Sequence, residues 1–123
     1  MAKKLIMVVD DEPSLCKLVI DVLGGAGYKV VRALNGKECL EKLRKVKPDL
    51  ILVDFFMPEM SGRELCVKIR ADPKLENLKL AFLTVARFSA KGENELKRMG
   101  VLDYIQKPFD YKDLKRRVMK IVG

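Results

Sequence analysis

The feature that most constrains the fold is a regular alternation of short apolar runs with amphipathic segments, repeated five times. The runs cover residues 5–9, 28–33, 50–54, 78–84 and 103–106. Each run has the length of a strand, and a segment with apolar residues at helical spacing follows each of them. Strands joined by crossover helices are parallel, and apolar runs without polar alternation indicate helices on both faces of the sheet. The sequence therefore predicts a doubly wound α/β fold with a five-stranded parallel sheet.

The helical segments carry start and stop signals of their own. Three polar residues are expected to cap helices two, three and five: Asn35, Ser61 and Asp110. The second helix is expected to contain Val46 and to end before Pro48, because a proline disfavours helical backbone in the residue before it. The fourth helix, residues 89–99, has few apolar positions and is expected to be the most weakly packed.

Length and hydropathy limit the number of domains and the location that the sequence allows. A chain of 123 residues has the usual size of one domain, so residues 1–123 are expected to form a single domain. No apolar stretch approaches the roughly 20 residues that a membrane span needs. Lys3 and Lys4 precede five apolar residues, but acidic residues follow where a signal peptide would have its cleavage site. A cytoplasmic protein without membrane contact is therefore expected.

Cysteine and histidine usage narrows the chemistry. The three cysteines are widely spaced and the chain has no histidine, so neither a disulfide framework nor a zinc site is expected. The lack of histidine also excludes Ser-His-Asp and Cys-His catalytic schemes. Any reaction must use carboxylates, lysine and hydroxyl groups.

The chain is basic, with 25 lysines and arginines against 17 aspartates and glutamates and a formal charge of +8. This balance is compatible with nucleic-acid binding through phosphate contacts. The basic residues fall mainly within helical patterns, however, where solvated helix faces explain them, and no helix-turn-helix motif is left over. Direct nucleic-acid binding is therefore not expected, and an acidic partner surface is the other explanation of the charge.

Polar side chains gather at one predicted edge of the sheet. Asp10 and Asp11 follow strand one, Asp54 ends strand three, Thr84 ends strand four, and Lys107 follows strand five. In an open parallel sheet, ligands bind beyond these carboxyl ends. Crowded carboxylates repel one another unless a cation or the lysine neutralises them, which indicates a functional group of residues.

The residue types indicate the chemistry. Clustered carboxylates without His or Cys suit a hard cation, and a small set that leaves ligand positions open favours Mg²⁺ together with a phosphate. One carboxylate could then act as a nucleophile towards phosphorus and form an aspartyl phosphate. Asp54 is best placed for this role because it lies on the central strand, while Asp10 and Asp11 share a loop and could be metal ligands.

Four segments, "VVDDE", "LILVDFFMPEMSG", "FLT" and "YIQKPF", occur in this order across the chain. Together they resemble the receiver domain of two-component response regulators, the CheY-like family. The resemblance implies the strand order 2-1-3-4-5. It also implies phosphoryl transfer to Asp54 from a sensor histidine kinase or a phosphotransfer protein, followed by control of a downstream protein target that the sequence does not identify.

The resemblance also implies roles for individual residues. Mg²⁺ would be held by Asp11, Asp54 and the backbone carbonyl of Phe56, with Asp10 acting mostly through water. Family members generally act as phosphoacceptors that promote their own phosphorylation and dephosphorylation, rather than as turnover enzymes. A monomer or a phosphorylation-dependent dimer is expected.

A switch is implied as well. Thr84 and Lys107 would bind the phosphoryl oxygens, and the peptide bond before Pro108 would be cis. Movement of Thr84 towards the phosphoryl group would open space for the ring of Tyr104 and change the face formed by helix four, strand five and helix five.

Three residues near the predicted site are notable in comparison with the family: one departs from its pattern, and two occupy positions that affect hydrolysis. Val85 stands where Ala or Gly is usual, and Phe56 and Ala86 occupy positions that affect hydrolysis of the acyl phosphate in relatives. Phe56 and Val85 together are expected to shield the acyl phosphate from water and lengthen its lifetime.

Two other functions remain as alternatives. One is an interaction module that works without phosphorylation, which the intact acidic set disfavours. The other is a small hydrolase acting through an aspartyl phosphate, which would need a general acid and an enclosing cap that the sequence does not suggest. Flavin binding would require a loop rich in Ser, Thr or Gly after strand one, where this chain has carboxylates.

Overall fold

The computed structural model describes residues 3–85 and 87–123, and strands alternate with helices along the chain. The strands are β1 (Leu5–Val9), β2 (Lys29–Ala33), β3 (Leu50–Val53), β4 (Leu80–Thr84) and β5 (Val101–Gln106). The helices are α1 (Pro13–Gly25), α2 (Gly36–Lys42), α3 (Gly62–Ala71), α4 (Ala90–Arg98) and α5 (Tyr111–Val122). All strand pairs are parallel, in the order β2-β1-β3-β4-β5. The doubly wound fold and its strand order are confirmed.

Helices cover both faces of this sheet. Alternate residues of the central strands point to opposite sides, so each face has its own core. On one side, Met7 and Val9 of β1 belong to a core that includes residues of α2, α3 and α4. On the other side, Ile6 and Val8 belong to a core that includes residues of α1 and α5. All four residues of β3 are fully buried, as expected for the central strand of a sheet covered on both faces.

The predicted helix caps are confirmed. The side chain of Asn35 accepts a hydrogen bond from the backbone N–H of Glu38 at 2.8 Å, and Ser61 accepts one from Glu64 at 3.1 Å. Each cap satisfies an N–H group that would otherwise lack a partner in the first turn, which stabilises a helix by about 1 kcal/mol. Asp110 caps α5 in the same way.

Three element boundaries differ from the sequence prediction by two or more residues: the end of α2 and the starts of β4, at Leu80, and β5. Helix α2 ends at Lys42, so the prediction that it contains Val46 is wrong. A tight turn follows, in which the N–H of Arg44 donates to the carbonyl of Glu41, and Val46 still packs against the core from outside the helix. Strand β5 begins at Val101, two residues earlier than predicted, because Val101 pairs with Leu80 of β4.

All three cysteines are free and buried. Burial raises the pKa of the Cys16 thiol to about 11 and the pKa values of Cys39 and Cys66 to about 12. The thiols are therefore protonated near neutral pH and pack as small apolar side chains.

No helix within residues 3–85 and 87–123 is long and apolar enough to cross a membrane.

Candidate functional site

Two neighbouring strands place buried carboxylates at the carboxyl edge of the sheet. The backbone N–H of Asp10, directly after β1, donates to the carbonyl of Ala33 at 3.1 Å. The N–H of Asp54, directly after β3, donates to the carbonyl of Val9 at 2.9 Å. Asp10 is 1% exposed and Asp54 is 6% exposed. Both acidic side chains are thus held by the sheet itself, at a cost in desolvation that requires a compensating partner.

Lys107 supplies that partner. Its ammonium lies 2.7 Å from Oδ2 of Asp10 and 3.4 Å from Oδ2 of Asp54. The side chain of Lys107 is 13% exposed, and its backbone N–H donates to the carbonyl of Thr84 at 2.9 Å. The following peptide bond, Lys107–Pro108, is cis, as the resemblance implied. Lys107 thus lies between two of the crowded carboxylates, which is the position that the sequence analysis expected.

Burial and charge act against each other in this ion pair. Burial raises the pKa of Asp10, and the hydrogen bond from Lys107 offsets only part of that effect. Burial lowers the pKa of Lys107, but the hydrogen bond and the negative charges of Asp10 and Asp54 outweigh it and hold that pKa above its usual value. The raised pKa of Lys107 favours its charged form, whereas the raised pKa of Asp10 favours its neutral form. The 2.7 Å contact favours the charged pair, so Asp10 depends on Lys107 to stay ionised.

Three carboxylates form a group that could hold a metal ion. Asp10, Asp11 and Asp54 each offer an oxygen atom, and these atoms all lie within 4.8 Å of one another. Asp11 is exposed, so the group opens to solvent on one side. Hard carboxylate oxygens with room for further oxygen ligands fit Mg²⁺.

The loop after β3 is fixed by a close backbone contact that the sequence analysis missed. The N–H of Phe56 donates to Oδ1 of Asp54 at 3.3 Å, and the N–H of Gly62 donates to the carbonyl of Phe55 at 2.9 Å. A Cβ atom on Gly62 would lie 2.3 Å from the carbonyl oxygen of Asp54. Only glycine therefore fits at the first position of α3, and a glycine directly after the capping Ser61 was the available signal.

Thr84 and Tyr104 lie on adjacent strands, β4 and β5. Thr84 is fully buried at the end of β4. Tyr104 is half-buried; its hydroxyl donates to the carboxylate of Glu93 in α4, and this hydrogen bond raises the pKa of the phenol. The Tyr104 ring packs edge-on against Phe88, with ring centroids 5.0 Å apart. Neither Glu93 nor Phe88 could be predicted as a partner, because both contacts depend on how α4 and the preceding loop pack on the sheet.

The two side chains expected to shield the site are accessible. Phe56 is 56% exposed and Val85 is 62% exposed, so a shielding effect would require them to cover the phosphoryl group after it has formed. Ala86, the third position singled out in the sequence, lies outside the described residues.

Comparison with known proteins decides the family. The family model for the response regulator receiver domain matches residues 6–119, which contain every site residue described above. This chain belongs to that family. Receiver domains accept phosphoryl groups from histidine kinases in two-component signalling, and those of this family bind Mg²⁺.

Individual relatives agree with the assignment. Polar-differentiation response regulator DivK from Brucella anthropi is 37% identical over 106 residues, or 85% of each chain. Hybrid signal transduction histidine kinase D from Dictyostelium discoideum is 36% identical over 120 residues, which are 98% of this receiver domain but 8% of the kinase. The structure of chemotaxis protein CheY4 from Vibrio cholerae matches with a TM-score of 0.89 and 30% identity, covering 98% of this chain and 99% of that one. Receiver domains of this kind thus occur as most of a small regulator or as a small part of a larger protein.

Proposed function

We propose that residues 1–123 act as one receiver domain that accepts a phosphoryl group on Asp54 from a phosphohistidine of a kinase or phosphotransfer protein. In this reaction a carboxylate oxygen of Asp54 attacks phosphorus, the phosphorus–nitrogen bond of the donor breaks, and the nitrogen keeps the electron pair of that bond. The product is an acyl phosphate on Asp54 and a free histidine on the donor.

The observation that carries the proposal is the position of Lys107 between Asp10 and Asp54, at 2.7 Å and 3.4 Å. An ammonium at this position is available to balance negative charge that develops on the phosphoryl oxygens during transfer. The buried hydroxyl of Thr84, on the strand next to β3, is proposed as a hydrogen-bond donor to the same oxygens.

Mg²⁺ is part of the proposal. Asp11, Asp54 and the backbone carbonyl of Phe56 would hold it, with Asp10 acting through water. When bound, a divalent ion supplies positive charge that lowers the repulsion between the attacking carboxylate and the incoming phosphoryl group. Asp10, with its hydrogen bonds from Lys107 and from the N–H of Glu12, keeps a second negative charge beside Asp54 that favours binding of the cation.

The switch is proposed to work through the contact between Tyr104 and Glu93. Movement of Thr84 towards the phosphoryl group would free space beside β5, and the Tyr104 ring would turn into it. That rotation would break the hydrogen bond to Glu93 and release α4, in which Leu96 is the buried residue. The face formed by α4, β5 and α5 would then differ between the two states and control a partner protein.

The test is phosphorylation by a small phosphodonor such as acetyl phosphate in the presence of Mg²⁺, followed by mass measurement of the intact protein. We expect a single phosphoryl adduct on the wild type and none on Asp54→Ala or after removal of Mg²⁺ by EDTA. Asp21→Ala, which removes an exposed carboxylate of α1, is the matched control and should be phosphorylated like the wild type.

Two results would contradict the proposal. An adduct that persists in Asp54→Ala would place the reaction on another residue. A wild type that forms no adduct with several small donors would favour an interaction module that works without phosphorylation.

A further inference from the structure

A second candidate site lies at the amino edge of the sheet, opposite the carboxylates. Three adjoining cavities there share Lys79, the residue before β4, as a lining side chain. The largest is a groove of about 660 Å³ between α3, the end of α4 and the start of β5. We call this surface the Lys79 groove: the large cavity together with the two smaller ones, of about 230 Å³ and 500 Å³, that adjoin it.

The Lys79 groove carries positive charge that the fold does not neutralise. Seven exposed cationic side chains line its cavities. One of them, Arg116, pairs with Asp113, and the other six are Lys4, Lys47, Lys74, Lys79, Arg98 and Lys120. Within residues 3–85 and 87–123, the ion pairs involve none of these six. Three carboxylates also line the cavities: Asp103 pairs with Arg117 at 2.8 Å, Asp49 accepts from the N–H of Leu5 at 2.8 Å, and Glu76 is exposed. The six cations outnumber them, so the groove keeps an excess of positive charge. Helix ends explain Arg98 and Lys120, which lie in last helical turns, and Lys79, whose ammonium donates to the carbonyl of Ile121 near the end of α5 at 3.1 Å. They do not explain Lys4, Lys47 and Lys74.

The floor of the large cavity is apolar. Val67 of α3 and Leu102 of β5 are 48% and 55% exposed, and they line the cavity together with Met99 and Leu78. Exposed aliphatic side chains inside a concave, charged rim are typical of a site that binds another protein. The groove lacks an aromatic side chain among its lining residues, so it offers no surface for base stacking.

Arg70 holds the walls of this cavity in place. Its guanidinium donates to the carbonyls of Glu76 and Leu78 at 2.7 Å each, in the connection before β4. It also donates to the carbonyls of Met99 and Gly100, at 2.8 Å and 3.1 Å, in the turn before β5. One side chain thus joins α3 to two loops, and the groove is formed before any partner arrives, which lowers the entropic cost of binding.

From these observations we propose that the Lys79 groove binds an acidic, amphipathic segment of a partner protein. Apolar side chains of the segment contact Val67, Met99 and Leu102, while its carboxylates pair with Lys79, Arg98 and the lysines beside them. This site is separate from the phosphorylated edge and does not depend on the function proposed for Asp54. Positive charge suits both an acidic protein segment and nucleic acid, and the aliphatic, concave floor favours the protein segment.

The test uses peptides selected from a random library displayed on phage against the wild-type protein. We expect the enriched peptides to be acidic, with apolar residues at helical spacing. In fluorescence anisotropy, a synthetic copy of an enriched peptide should bind about tenfold or more weakly to the double variant Lys79→Glu, Arg98→Glu. The double variant Lys17→Glu, Lys37→Glu makes the same change in net charge on exposed lysines of α1 and α2, and it should bind within about twofold of wild type. Lys74→Glu with Lys120→Glu serves as a second groove variant if the first fails to fold.

Several outcomes would overturn the inference. Enriched peptides without acidic residues, or equal binding to both double variants, would show that the groove is not the binding site. A DNA duplex that binds the wild type more tightly than the peptide, and loses that affinity in the groove variant, would make the groove a nucleic-acid surface. The same result with anionic lipid vesicles would make it a membrane surface.

Discussion

Replacing Lys107 by methionine should destabilise the folded protein by about 3–5 kcal/mol, since this is the usual cost of removing one partner of a buried ion pair. Methionine keeps most of the side-chain volume, so the change isolates the charge. The upper half of this range applies here because Lys107 serves two carboxylates, Asp10 at 2.7 Å and Asp54 at 3.4 Å. Without the ammonium these two buried groups face each other, and their remaining donors among the described residues are the backbone N–H groups of Glu12 and Phe56.

The loss should depend on pH in a definite direction. Burial already raises the pKa of Asp10 in the wild type, and Lys107 opposes that effect. Removing Lys107 therefore raises the pKa of Asp10 further above its value in the unfolded chain. A carboxyl group with a raised pKa in the folded state favours folding while it is protonated, and this contribution is lost as the pH rises through that pKa. The deficit of Lys107→Met should thus be smallest near pH 4 and grow towards neutral pH.

The assay is urea unfolding followed by far-ultraviolet circular dichroism, in EDTA, at several pH values between about 4 and 8. With an m-value of about 1.5 kcal/mol per molar urea, a loss of about 4–5 kcal/mol lowers the midpoint at neutral pH by about 3 M. Added Mg²⁺ should recover part of the loss, because it binds the folded state. Lys115→Met removes an exposed lysine of α5 and serves as the control, with an expected change below about 0.5 kcal/mol.

The reasoning is refuted if Lys107→Met loses less than about 1 kcal/mol at neutral pH in EDTA. A deficit that stays constant between acidic and neutral pH would also refute it, because Asp10 would then not be the group left without compensation.

Three further predictions concern other parts of the molecule. Gly62→Ala should lower the free energy of unfolding in urea by about 1–3 kcal/mol and slow phosphorylation, because its Cβ would meet the carbonyl oxygen of Asp54 at 2.3 Å. Gly24→Ala is the control: a Cβ there has no atom within 4 Å, so the change should be neutral or stabilising by up to about 1 kcal/mol. Phe56→Asn and Val85→Ala should each speed loss of the phosphoryl group, timed by mass measurement, and decay that is unchanged or slower in both variants would contradict the shielding hypothesis. The three cysteine thiols, with pKa values of about 11 to 12, should resist a thiol reagent at pH 8 in the native state and react fully in urea; fast native labelling would contradict their burial.

The parts of the fold that follow local rules could be predicted from the sequence. The apolar runs placed the strands because a buried parallel strand needs an uninterrupted apolar segment, and Asn35 and Ser61 marked helix starts because their side chains bond to the first turn. The end of α2 and the start of β5 were predicted wrongly, since both are decided by neighbours in space: Val101 is a strand residue because Leu80 lies beside it.

The same distinction applies to the site. Asp10, Asp54 and Lys107 could be brought together in advance, because the carboxyl ends of parallel strands share one edge. The contact between Gly62 and the backbone of Asp54 could not, because it depends on the approach of α3 to the loop after β3. The partner of Tyr104 was missed for a similar reason, since its contact with Glu93 depends on how α4 packs against the sheet.

The sheet divides the interior into two compartments that do not share side chains. Phe55, Phe88 and Tyr104 pack only into the compartment beneath α2, α3 and α4, whereas the one beneath α1 and α5 contains none of them. Conservative changes of size beneath α1 should therefore act mainly on the melting temperature, whereas changes beneath α5 also bear on the face proposed to contact a partner. Beneath α2, α3 and α4, the same changes would alter the packing around Tyr104, the residue proposed to switch. A change of size there would therefore need a compensating change in a neighbouring side chain.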